Sequence, residues 1–573
     1  MMKLILLILS IPLCVVAQTS VQSTAPKTNE PTTGTISGKV VNETGQPMPG
    51  VSAFIRAVNS NMGRTTATDA EGNFQVNGLP AGLYIVGANA PAYTTMPSEL
   101  TSPATYYRIG DSVRVDLVRG GVITGTVTNA TGEPMVAVRV RATMIRDAKG
   151  QPFRSSGFGA SEQPTDDRGI YRMFGLLPGM YIVSAGGLSS SQPYQFNPYD
   201  SDLPTYAPSS TRDTAAEVTV TGGEESTADI HYRGDTGYSI SGTVKTAGTN
   251  GATITIAPVG PVLVGGGSTF QSANSRGFAF HGLADGEYQV LAQETAMAQG
   301  SSFPSTSLSE TKRVTIKGAS VTGIELTTKP MGLIRGRILL EPSKVKECEG
   351  KRAPLFSEAL VQLRRPEKDP ETSQPVRIFM NSASPDSKGD FTFRNIYPGK
   401  YQFDPRFYAR YWYLRSITTG AAAPATPARS QAASSKTDAA TSWTTVKLGE
   451  QITNLTITLA EGAASVRGKI AADTAPDMLF YLVPSEPNKA DDVLRYFVTE
   501  IAADGTFALN NLPPGRYWAL AQTNSDVQTA AVMRLRLPET ATARTKLRKT
   551  AEAKKIELEL KPCQNLTNYE LKH

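Results

Sequence analysis

Histidine and cysteine are scarce in this chain of 573 residues, which contains three of each. The histidines are His231, His281 and His573, which lie far apart and lack the spacing of metal ligands. The sequence therefore argues against a zinc site and against a Ser-His-Asp triad. We expect a protein that is not an enzyme and that carries neither a metal ion nor another cofactor.

Charge is also sparse. Charged residues make up 19% of the chain, and the net charge of +6 becomes +5 if Lys3 is removed with the N-terminal segment. A charge this mild and dispersed gives no reason to expect nucleic acid as a partner. The basic run that includes Lys546 and Lys549 fits either contact with an anionic surface or a short solvent-exposed helix or loop.

Beyond the N-terminus, the sequence lacks a long apolar run that could cross a membrane. The apolar run from Leu4 to Val16 follows Lys3 and ends beside Ala17, and it is shorter than the ~20 residues of a membrane span. Residues 1–17 are therefore predicted to be a signal peptide, and the Ser-, Thr- and Pro-rich stretch 18–34 a flexible leader. We expect a secreted or periplasmic protein of the cell envelope with no transmembrane segment after cleavage.

Two cysteines, Cys348 and Cys563, would remain after cleavage of the signal peptide. They lie in different repeats of the chain. A disulfide between them would join the fourth domain to the C-terminal tail, whereas two free thiols are the alternative. Their spacing does not decide between the two states.

Glycine and proline are plentiful, with 50 and 38 residues, and they punctuate a hairpin motif that occurs five times. In the first copy a turn glycine precedes a strand of alternating apolar residues, and a Leu-Pro-Ala-Gly turn leads into a tyrosine. The turn glycine and the tyrosine of the five copies are Gly72 and Tyr84, Gly169 and Tyr181, Gly277 and Tyr288, Gly389 and Tyr401, and Gly505 and Tyr517. Copies recurring at gaps of roughly a hundred residues indicate repeated domains.

Each copy is framed by an opening and a closing strand. The opening strands place a glycine between alternating apolar residues, as in Ile36-Ser-Gly38-Lys-Val40, which indicates a bulge or a close backbone contact. Each closing strand is followed by the next opening strand within a few residues, so we expect a semi-rigid rod. The predicted domains are 35–120, 121–234, 235–329, 330–462 and 463–573, with a flexible insertion at 418–442 in the fourth.

Three motifs together resemble the carboxypeptidase regulatory-like domain family. They are the Ile-x-Gly-x-Val opening, the turn from Gly45 through Pro47 to Val51, and the hairpin from Asp69 through Phe74 to Tyr84. The resemblance implies an all-β array of about five transthyretin-like, or Ig-like, seven-stranded β-sandwiches, similar to carbohydrate-binding-like and bacterial surface adhesin modules. The likeness covers nearly the whole mature chain and is clearest in the first domain. It says little about function, since this fold serves many roles.

The similar adhesin modules often carry a Lys-Asn isopeptide bond promoted by a glutamate after the hairpin tyrosine. At that position this chain has Ala88, Ala185, Ala292, Pro405 and Ala521. Without a carboxylate to move the proton the bond should not form, even though Lys39 and Lys469 lie in opening strands.

Aspartates recur at the hairpin entry, and a calcium site is the functional interpretation of such a cluster. Calcium needs six to eight oxygen ligands, so we favour Asx-turns instead. The residues concerned are Asp69, Asp166, Asp167, Asp386 and Asp504. The tripeptide Arg233-Gly234-Asp235 matches a cell-adhesion motif, but it falls in a linker where glycine and aspartate are expected in any case.

Two aromatic clusters are the candidate ligand contacts, because exposed rings stack on sugars and peptides. One lies in the insertion 189–215 and the other in the run from Phe407 to Tyr413. The candidate residues are Tyr194, Phe196, Tyr199, Tyr206, Tyr408, Tyr411 and Trp412. The alternative is that these rings fill a sandwich core or a domain junction.

The sequence thus predicts a non-enzymatic extracytoplasmic binding or scaffold protein whose partner is an extracellular carbohydrate or an envelope protein. Two alternatives stay open. The first is a purely structural spacer or adhesin rod. The second is an accessory subunit of a surface enzyme or transporter. Neither the ligand nor the oligomeric state follows from the sequence.

Overall fold

The computed structural model shows how the repeats fold. It describes residues 33–58, 60, 62–95, 105–150, 152, 160–188, 197–248, 251–259, 267–272, 277–295, 305–366, 382–420, 437–470, 478–502, 504–523 and 540–571. The predicted signal peptide and nearly all of the predicted leader lie outside these residues. We divide the rest into segments 1 to 5 (33–120, 121–234, 235–330, 331–462 and 463–571), and the domain boundaries stay a prediction.

Segment 1 is a sandwich of two sheets. Its strands are β1 (Thr33–Val41), β2 (Ser52–Ala57), β3 (Gly63–Ala67), β4 (Asn73–Pro80), β5 (Tyr84–Asn89), β6 (Tyr93–Thr95) and β7 (Ser112–Arg119). One sheet has the strand order β4-β1-β7-β6 and the other the order β3-β2-β5. Inward-facing apolar residues of both sheets form a single core cluster.

Segment 2 repeats this plan with additional short strands. Its strands are β8 (Gly121–Thr128), β9 (Arg139–Asp147), β10 (Ala160–Pro164), β11 (Ile170–Leu176), β12 (Gly179–Ala185), β13 (Thr205–Tyr206), β14 (Glu217–Val220), β15 (Glu225–Thr227) and β16 (Ile230–His231). In one sheet the order is β10-β9-β12-β13, with β14 also on β12. In the other it is β11-β8-β15, with β16 also on β8. Two 3-10 turns, Pro198–Ser201 and Arg212–Thr214, interrupt the stretch before β14.

Segment 3 differs because its two sheets are joined. Its strands are β17 (Tyr238–Lys245), β18 (Ala252–Pro258), β19 (Gly267–Gln271), β20 (Gly277–Leu283), β21 (Gly286–Thr295), β22 (Ser305–Ser309), β23 (Lys312–Ile316) and β24 (Val321–Pro330). Strand β22 pairs with β21 on one side and β24 on the other. The result is one continuous path, β19-β18-β21-β22-β24-β17-β20, with β23 also on β21.

Segment 4 has two sheets again. Its strands are β25 (Gly332–Glu341), β26 (Leu360–Arg364), β27 (Ser382–Ala383), β28 (Asp390–Ile396), β29 (Gly399–Arg406), β30 (Trp412–Thr419), β31 (Thr437–Asp438), β32 (Thr444–Val446) and β33 (Gln451–Glu461). The sheet orders are β28-β25-β33-β30-β31 and β27-β26-β29-β32. The segment also contains the 3-10 turns Lys346–Cys348 and Phe356–Glu358. Much of the predicted flexible insertion, 421–436, lies outside the described residues.

Segment 5 adds the chain's one described α-helix. Its strands are β34 (Ala464–Ile470), β35 (Met478–Pro484), β36 (Phe497–Glu500), β37 (Thr506–Leu512), β38 (Gly515–Thr523), β39 (Glu557–Leu560) and β40 (Asn565–Leu571). The sheet orders are β37-β34-β40 and β36-β35-β38-β39. The helix α1 (Ala541–Lys554) packs Leu547 and Ala551 onto the outer face of β35 and β38. Two 3-10 turns, Pro487–Lys489 and Val493–Arg495, follow β35.

Each segment encloses its own large cluster of buried apolar side chains among the described residues. The predicted all-β class of repeated sandwiches is therefore confirmed. Within the described part of the chain, no helix is both long and apolar enough to cross a bilayer.

The opening-strand glycine meets the hairpin aromatic in every segment. The two residues are directly opposite each other across an antiparallel pair, and further along the pair the register shifts by one extra residue in the hairpin strand. The pairs are Gly38 with Phe74, Gly125 with Tyr171, Gly242 with Phe278, Gly336 with Phe391, and Gly468 with Phe507. On its other edge the opening strand pairs in parallel with the closing strand. A Cβ added to any of the five glycines would come within 3.0 Å of a neighbouring atom, so each position requires glycine.

The hairpin tyrosine has the same role in all five segments. Its hydroxyl donates a hydrogen bond to the carbonyl four residues earlier, across the proline- or glycine-containing turn. The five distances are 2.6 Å for Tyr84 to Pro80, 2.9 Å for Tyr181 to Leu177, 2.9 Å for Tyr288 to Ala284, 2.8 Å for Tyr401 to Tyr397 and 2.7 Å for Tyr517 to Pro513. The ring is buried and the polar tip satisfies a turn carbonyl, so the tyrosine pins the turn to the core.

Replacing Gly38 by alanine tests the glycine–aromatic contact. The new methyl group would collide with the Val113 carbonyl and the Phe74 ring. We expect the free energy of unfolding of segment 1 to fall by about 1–3 kcal/mol, as overpacking does. Amide hydrogen exchange of β4 in the whole chain measures this loss.

The matched control is Gly63→Ala, whose added Cβ would lie 3.9 Å from the Ile55 carbonyl oxygen, an ordinary contact. We expect this change to stay within about 0.5 kcal/mol of the unaltered protein. Equal effects of the two substitutions would contradict the account of Gly38.

Candidate functional site: aromatic joints between segments

Both aromatic stretches singled out in the sequence lie where segments meet. The run 407–413 of segment 4 contacts segments 1 and 5, and the loop 197–206 of segment 2 contacts segment 3. We call the first the three-segment joint and the second the loop joint.

The three-segment joint reaches segment 1 through Tyr408. Its hydroxyl donates a hydrogen bond to the Tyr106 carbonyl, 3.1 Å away. The guanidinium of Arg108 lies over the Tyr408 ring, 4.8 Å from its centroid, in cation–π geometry. The Gln362 amide donates to the Tyr106 hydroxyl at 2.8 Å. Leu83 and Leu360 pack against these rings to form a small buried cluster of their own.

A carboxylate shared by two arginines completes this contact. Glu358, whose side chain is 4% exposed, lies 3.5 Å from the nearest guanidinium nitrogen of Arg108 and 3.0 Å from that of Arg352. Arg352 also donates to the Tyr408 carbonyl at 3.2 Å. A buried carboxylate needs partners of this kind, since desolvation without them is costly.

Burial sets the protonation of the phenols in the joint. It raises the pKa of Tyr106 and of Tyr408 above the ordinary value, against a smaller lowering by Gln362 at Tyr106 and by Arg108 at Tyr408. Both phenols therefore stay neutral near pH 7, and the Tyr408 hydroxyl remains a hydrogen-bond donor.

The same run reaches segment 5 through its backbone. The Tyr411 carbonyl accepts hydrogen bonds from the amides of Gly462 and Ala463, at 2.8 and 2.9 Å. These two residues are the linker between the segments. The Asn511 amide donates to the carbonyls of Ala409 and Trp412, both at 2.7 Å. The linker and the hairpin of segment 5 are thus hydrogen-bonded to the aromatic run.

A disulfide between Cys348 and Cys563 crosses the same boundary. The Cα atoms are 5.4 Å apart and both side chains are buried. Cys348 ends a 3-10 turn of segment 4, and Cys563 lies in the turn between β39 and β40. Of the two alternatives left open by the sequence, the structure has the bridge, so segments 4 and 5 are covalently joined at a second point.

The loop joint connects segments 2 and 3. The Leu203 amide donates to the Asp235 carbonyl at 2.8 Å, and Asp202 forms a bridge with Thr236. The Tyr232 hydroxyl donates to the Asp202 carboxylate at 2.8 Å. Tyr199 packs edge-on against the Tyr232 ring, with centroids 5.7 Å apart. The loop is therefore part of the linker between the two sandwiches.

Arg139 and Asp200 add an ion pair to the loop joint, 3.3 Å apart and largely buried. Burial raises the pKa of Asp200, and the charge of Arg139 counteracts this. The pair fixes the 3-10 turn Pro198–Ser201 against β9.

The remaining linkers are built in the same way. The Gly223 amide of segment 2 donates to the Gly120 carbonyl at 3.1 Å, and the Met331 amide donates to the Thr306 carbonyl of segment 3 at 3.1 Å. Met331 also packs in a cluster with Leu291 and Leu308. The short linkers predicted a semi-rigid rod, and that expectation did not include the contact of segment 1 with segment 4, which is not its neighbour in the chain.

The predicted ligand residues are thus placed as follows. Trp412 and Tyr206 are each 3% exposed and pack in buried clusters. Tyr199, Tyr408 and Tyr411 are half-buried in the joints. Tyr194 and Phe196 lie outside the described residues. The structure brings Tyr408, Tyr411 and Trp412 together in one joint, and ligand contact by any of the seven residues stays a prediction.

Four of the five hairpin aspartates act as the Asx-turn interpretation requires. Asp69, Asp166 and Asp386 each accept two backbone amides, at 2.7–3.1 Å, and Asp504 accepts the amide and hydroxyl of Thr506. Hydrogen bonds to backbone and Arg168 lower the pKa of Asp166.

The isopeptide positions and the Arg-Gly-Asp tripeptide both lie within the described residues. Lys39 and Lys469 are exposed, while the residues at the glutamate position of the isopeptide modules, Ala88 among them, face the cores. In the Arg-Gly-Asp tripeptide, Arg233 forms an ion pair with Asp235 at 2.6 Å. Both side chains are exposed to solvent, so the ion pair is a surface contact.

The basic run is partly structural. Arg548 donates to the carbonyls of Pro484 and Ser485 and lies 5.1 Å above the centroid of the Trp518 ring. Lys546 and Lys549 are exposed on α1. The expectation of a short solvent-exposed helix therefore holds for these lysines and not for Arg548.

Sequence reasoning missed the residues that complete the three-segment joint: Tyr106, Arg108, Glu358, Gln362 and Asn511. Polar residues of these types are expected on any sandwich surface, so no local pattern marks them. Asn511 offers one signal in the sequence, because the other copies of its hairpin place glycine or asparagine nearby. In the structure Asn511 has a positive φ of 59°.

One comparison with known proteins concerns segment 1, which takes part in the three-segment joint. Residues 35–111 match the family model of the carboxypeptidase regulatory-like domain. The resemblance drawn from the motifs is confirmed for that stretch. The search of curated proteins found no significant match.

Several solved structures of bacterial proteins, two of them pilins, are similar in part. The Bacillus anthracis TIE protein is 15% identical, with 52% of this chain and 50% of that one covered and a TM-score of 0.14. The minor pilin GBS52 of Streptococcus agalactiae is 14% identical over 35% of this chain and 96% of its own, with a TM-score of 0.19. The Bacillus cereus major pilin subunit BcpA is 11% identical over 52% and 99%, with a TM-score of 0.14. The match spans half the length of the TIE protein. Likeness at this level carries no information about function.

Fluorescence of single-tryptophan variants tests the burial of Trp412. We expect a variant keeping Trp412 (Trp443→Phe with Trp518→Phe) to emit at short wavelength and to resist acrylamide quenching, because the indole lies in the core. The matched variant keeping the half-buried Trp443 (Trp412→Phe with Trp518→Phe) should be quenched more strongly. Equal quenching of the two would contradict the joint, and a saturable response of Trp412 to a polysaccharide would restore it as a ligand contact.

Proposed function

We propose that the protein is a non-enzymatic structural scaffold of the extracytoplasmic space, in the manner of a spacer or adhesin stalk. The observation that carries this proposal is the three-segment joint. Rings and polar groups that could have formed a binding surface instead hold segments 1, 4 and 5 against one another. A protein that uses its densest aromatic cluster for internal joints is suited to keep its segments in a fixed arrangement.

The Cys348–Cys563 disulfide supports the location. Disulfides persist in oxidising compartments such as the periplasm and the cell exterior, and they are rare in the cytoplasm. A predicted signal peptide at 1–17 agrees with export. We therefore place the scaffold outside the cytoplasm, as a secreted or periplasmic protein of the cell envelope.

Several described polar residues that could suggest chemistry have structural partners. The hairpin aspartates accept turn amides, and His231 shares a hydrogen bond of 3.0 Å with the Thr128 hydroxyl. Glu358 is held by two arginines across a segment boundary. These roles support the non-enzymatic part of the proposal.

Recognition of an extracellular carbohydrate or an envelope protein is the function that the sequence predicted first, with the structural spacer as its alternative. Burial of Trp412 and Tyr206 favours the structural role over carbohydrate binding, because a ring must be exposed to stack on a sugar. A protein partner in the envelope remains compatible with the scaffold, since a scaffold has to be anchored.

Cell fractionation combined with thiol labelling tests the proposal. We expect the full-length chain, produced with its own N-terminus, to reach the extracytoplasmic fraction, to begin at Gln18 and to react with a thiol-specific maleimide only after reduction. Its cysteines are then paired, as in the structure.

The control is Cys348→Ser, which should leave Cys563 as one reactive thiol and so shows that the label can report a broken bridge. Recovery of the unaltered chain in the cytoplasm, with Cys348 and Cys563 reactive before reduction, would refute the proposed location and the structural role of the bridge.

A further inference from the structure

We propose that the outer face of one sheet of segment 2 carries a glycan-binding site centred on Phe174. The side chain of Phe174 is 64% exposed, whereas Trp412 and Tyr206 are buried. Among the described residues, no other Phe, Tyr or Trp side chain is exposed to this extent. The proposal goes beyond the scaffold role, because it gives the scaffold a contact with the material around it.

The fold does not require an aromatic residue at this position. Phe174 lies in β11 directly before Gly175, which has a positive φ of 70° at the point where the hairpin strand has its extra residue. The other four hairpins have the same irregularity, and the residue before the positive φ is polar and exposed in each of them: Asn77, His281, Arg394 and Asn510. Four copies of the hairpin form with a polar residue here, so the ring of segment 2 has no structural role that the copies share.

The ring extends an apolar strip across the outside of the sheet. Strand β11 is an edge strand, and the residues Phe174 and Gly175 lie opposite Val122 of the adjacent strand β8. The neighbouring residues Ile123 and Met173 face the core. Side chains alternate along a strand, so Val122 faces outward like Phe174. We call Phe174 and Val122 the outer strip.

An ion pair borders the outer strip. The Arg172 guanidinium donates to the Glu225 carboxylate at 3.0 Å, and both side chains are about half exposed. Glu225 pairs with Val122 on the other side of β8, and Arg172 is two residues before Phe174 on the same face of the sheet. A guanidinium and a carboxylate beside an exposed ring can bond the hydroxyl groups of a sugar that stacks on that ring.

The chemistry of the outer strip favours a sugar over an apolar protein surface. One ring and one valine give less apolar area than the contiguous patch of a protein interface. The C–H face of a single pyranose covers one ring, and the hydroxyl groups at its rim need polar partners such as Arg172 and Glu225. Pyranoses whose ring substituents are all equatorial, of the glucose or N-acetylglucosamine type, have a flat C–H face on both sides. Polysaccharides of these sugars are therefore the ligand class.

Affinity electrophoresis of the exported full-length chain tests the site. Native gels that contain mixed-linkage β-glucan or glycol chitin should retard the unaltered protein relative to gels without polysaccharide. Phe174→Asn, which introduces the residue type of Asn77 in the first hairpin, should lower the apparent affinity about tenfold because the ring is lost. Phe174→Tyr should keep the retardation because it keeps a ring.

The matched control is Val136→Asn, which removes another exposed apolar side chain of segment 2, in the stretch before β9 and outside the outer strip. This variant should be retarded as strongly as the unaltered protein. Circular dichroism of both variants should match that of the unaltered protein, because neither Phe174 nor Val136 belongs to the core cluster of segment 2. A gel containing β-1,4-galactan, in which the oxygen at C4 is axial, should retard the protein less.

Four results would each overturn the proposal. The first is that neither β-glucan nor glycol chitin retards the unaltered protein. The second is that folded Phe174→Asn is retarded as strongly as the unaltered protein, and the third is that Val136→Asn loses as much affinity as Phe174→Asn. The fourth is equal retardation by the galactan, which would refute the ligand class.

Discussion

The contact between a glycine and an aromatic ring across the first antiparallel pair of each segment is the constraint on which the rest of the structure depends. The ring lies over the glycine from one neighbouring strand while a carbonyl of the closing strand approaches from the other. At Gly38 these groups belong to Phe74 and Val113. The first, middle and last strands of the segment are thereby held in one sheet. Because the opening and closing strands are parallel, the chain enters a segment at one end and leaves at the other, where the next segment begins.

This arrangement explains why the linkers are short and hydrogen-bonded. A closing strand that ends at the far edge of its sandwich places the next residue directly against the neighbouring segment, as at Gly120 and at Gly462. Two convex sandwiches contact each other over a small area. The space between them therefore has to be filled by a small number of residues. Aromatic side chains supply a large contact area with few rotatable bonds, and tyrosine adds a hydroxyl that can bond a carbonyl of the neighbour. Tyr408 does this for Tyr106. The aromatic residues of the run 407–413 would also suit a surface that stacks on a ligand, but in this structure they form a joint between segments.

Much of the local fold could be predicted from the sequence, and most of the joints could not. The hairpins follow from period-two alternation and from turn chemistry, so Gly72, Phe74 and Tyr84 mark their positions within the first copy. The joining of both sheets in segment 3 depends on the short strand β22, which carries no distinctive motif. The contact between Arg108 and Glu358 links residues 250 positions apart, and side chains that far apart leave no local pattern. The sequence leaves open whether the rings of the run 407–413 lie on the surface or in a junction between segments. The two cases differ in burial and not in composition.

Amide hydrogen exchange of the linker residues is the most direct test of the claim that the segments are fused by their linkers. The amides to follow are those whose hydrogen bonds hold a linker across a segment boundary: Leu203 to Asp235, Gly223 to Gly120, Met331 to Thr306 and Ala463 to Tyr411. Our account predicts that they exchange as slowly as amides within the neighbouring strands, in the mature chain under native conditions. Exchange at the rate of an unstructured peptide, with the strands on either side protected, would show that the segments are independent sandwiches on free tethers and would contradict the account.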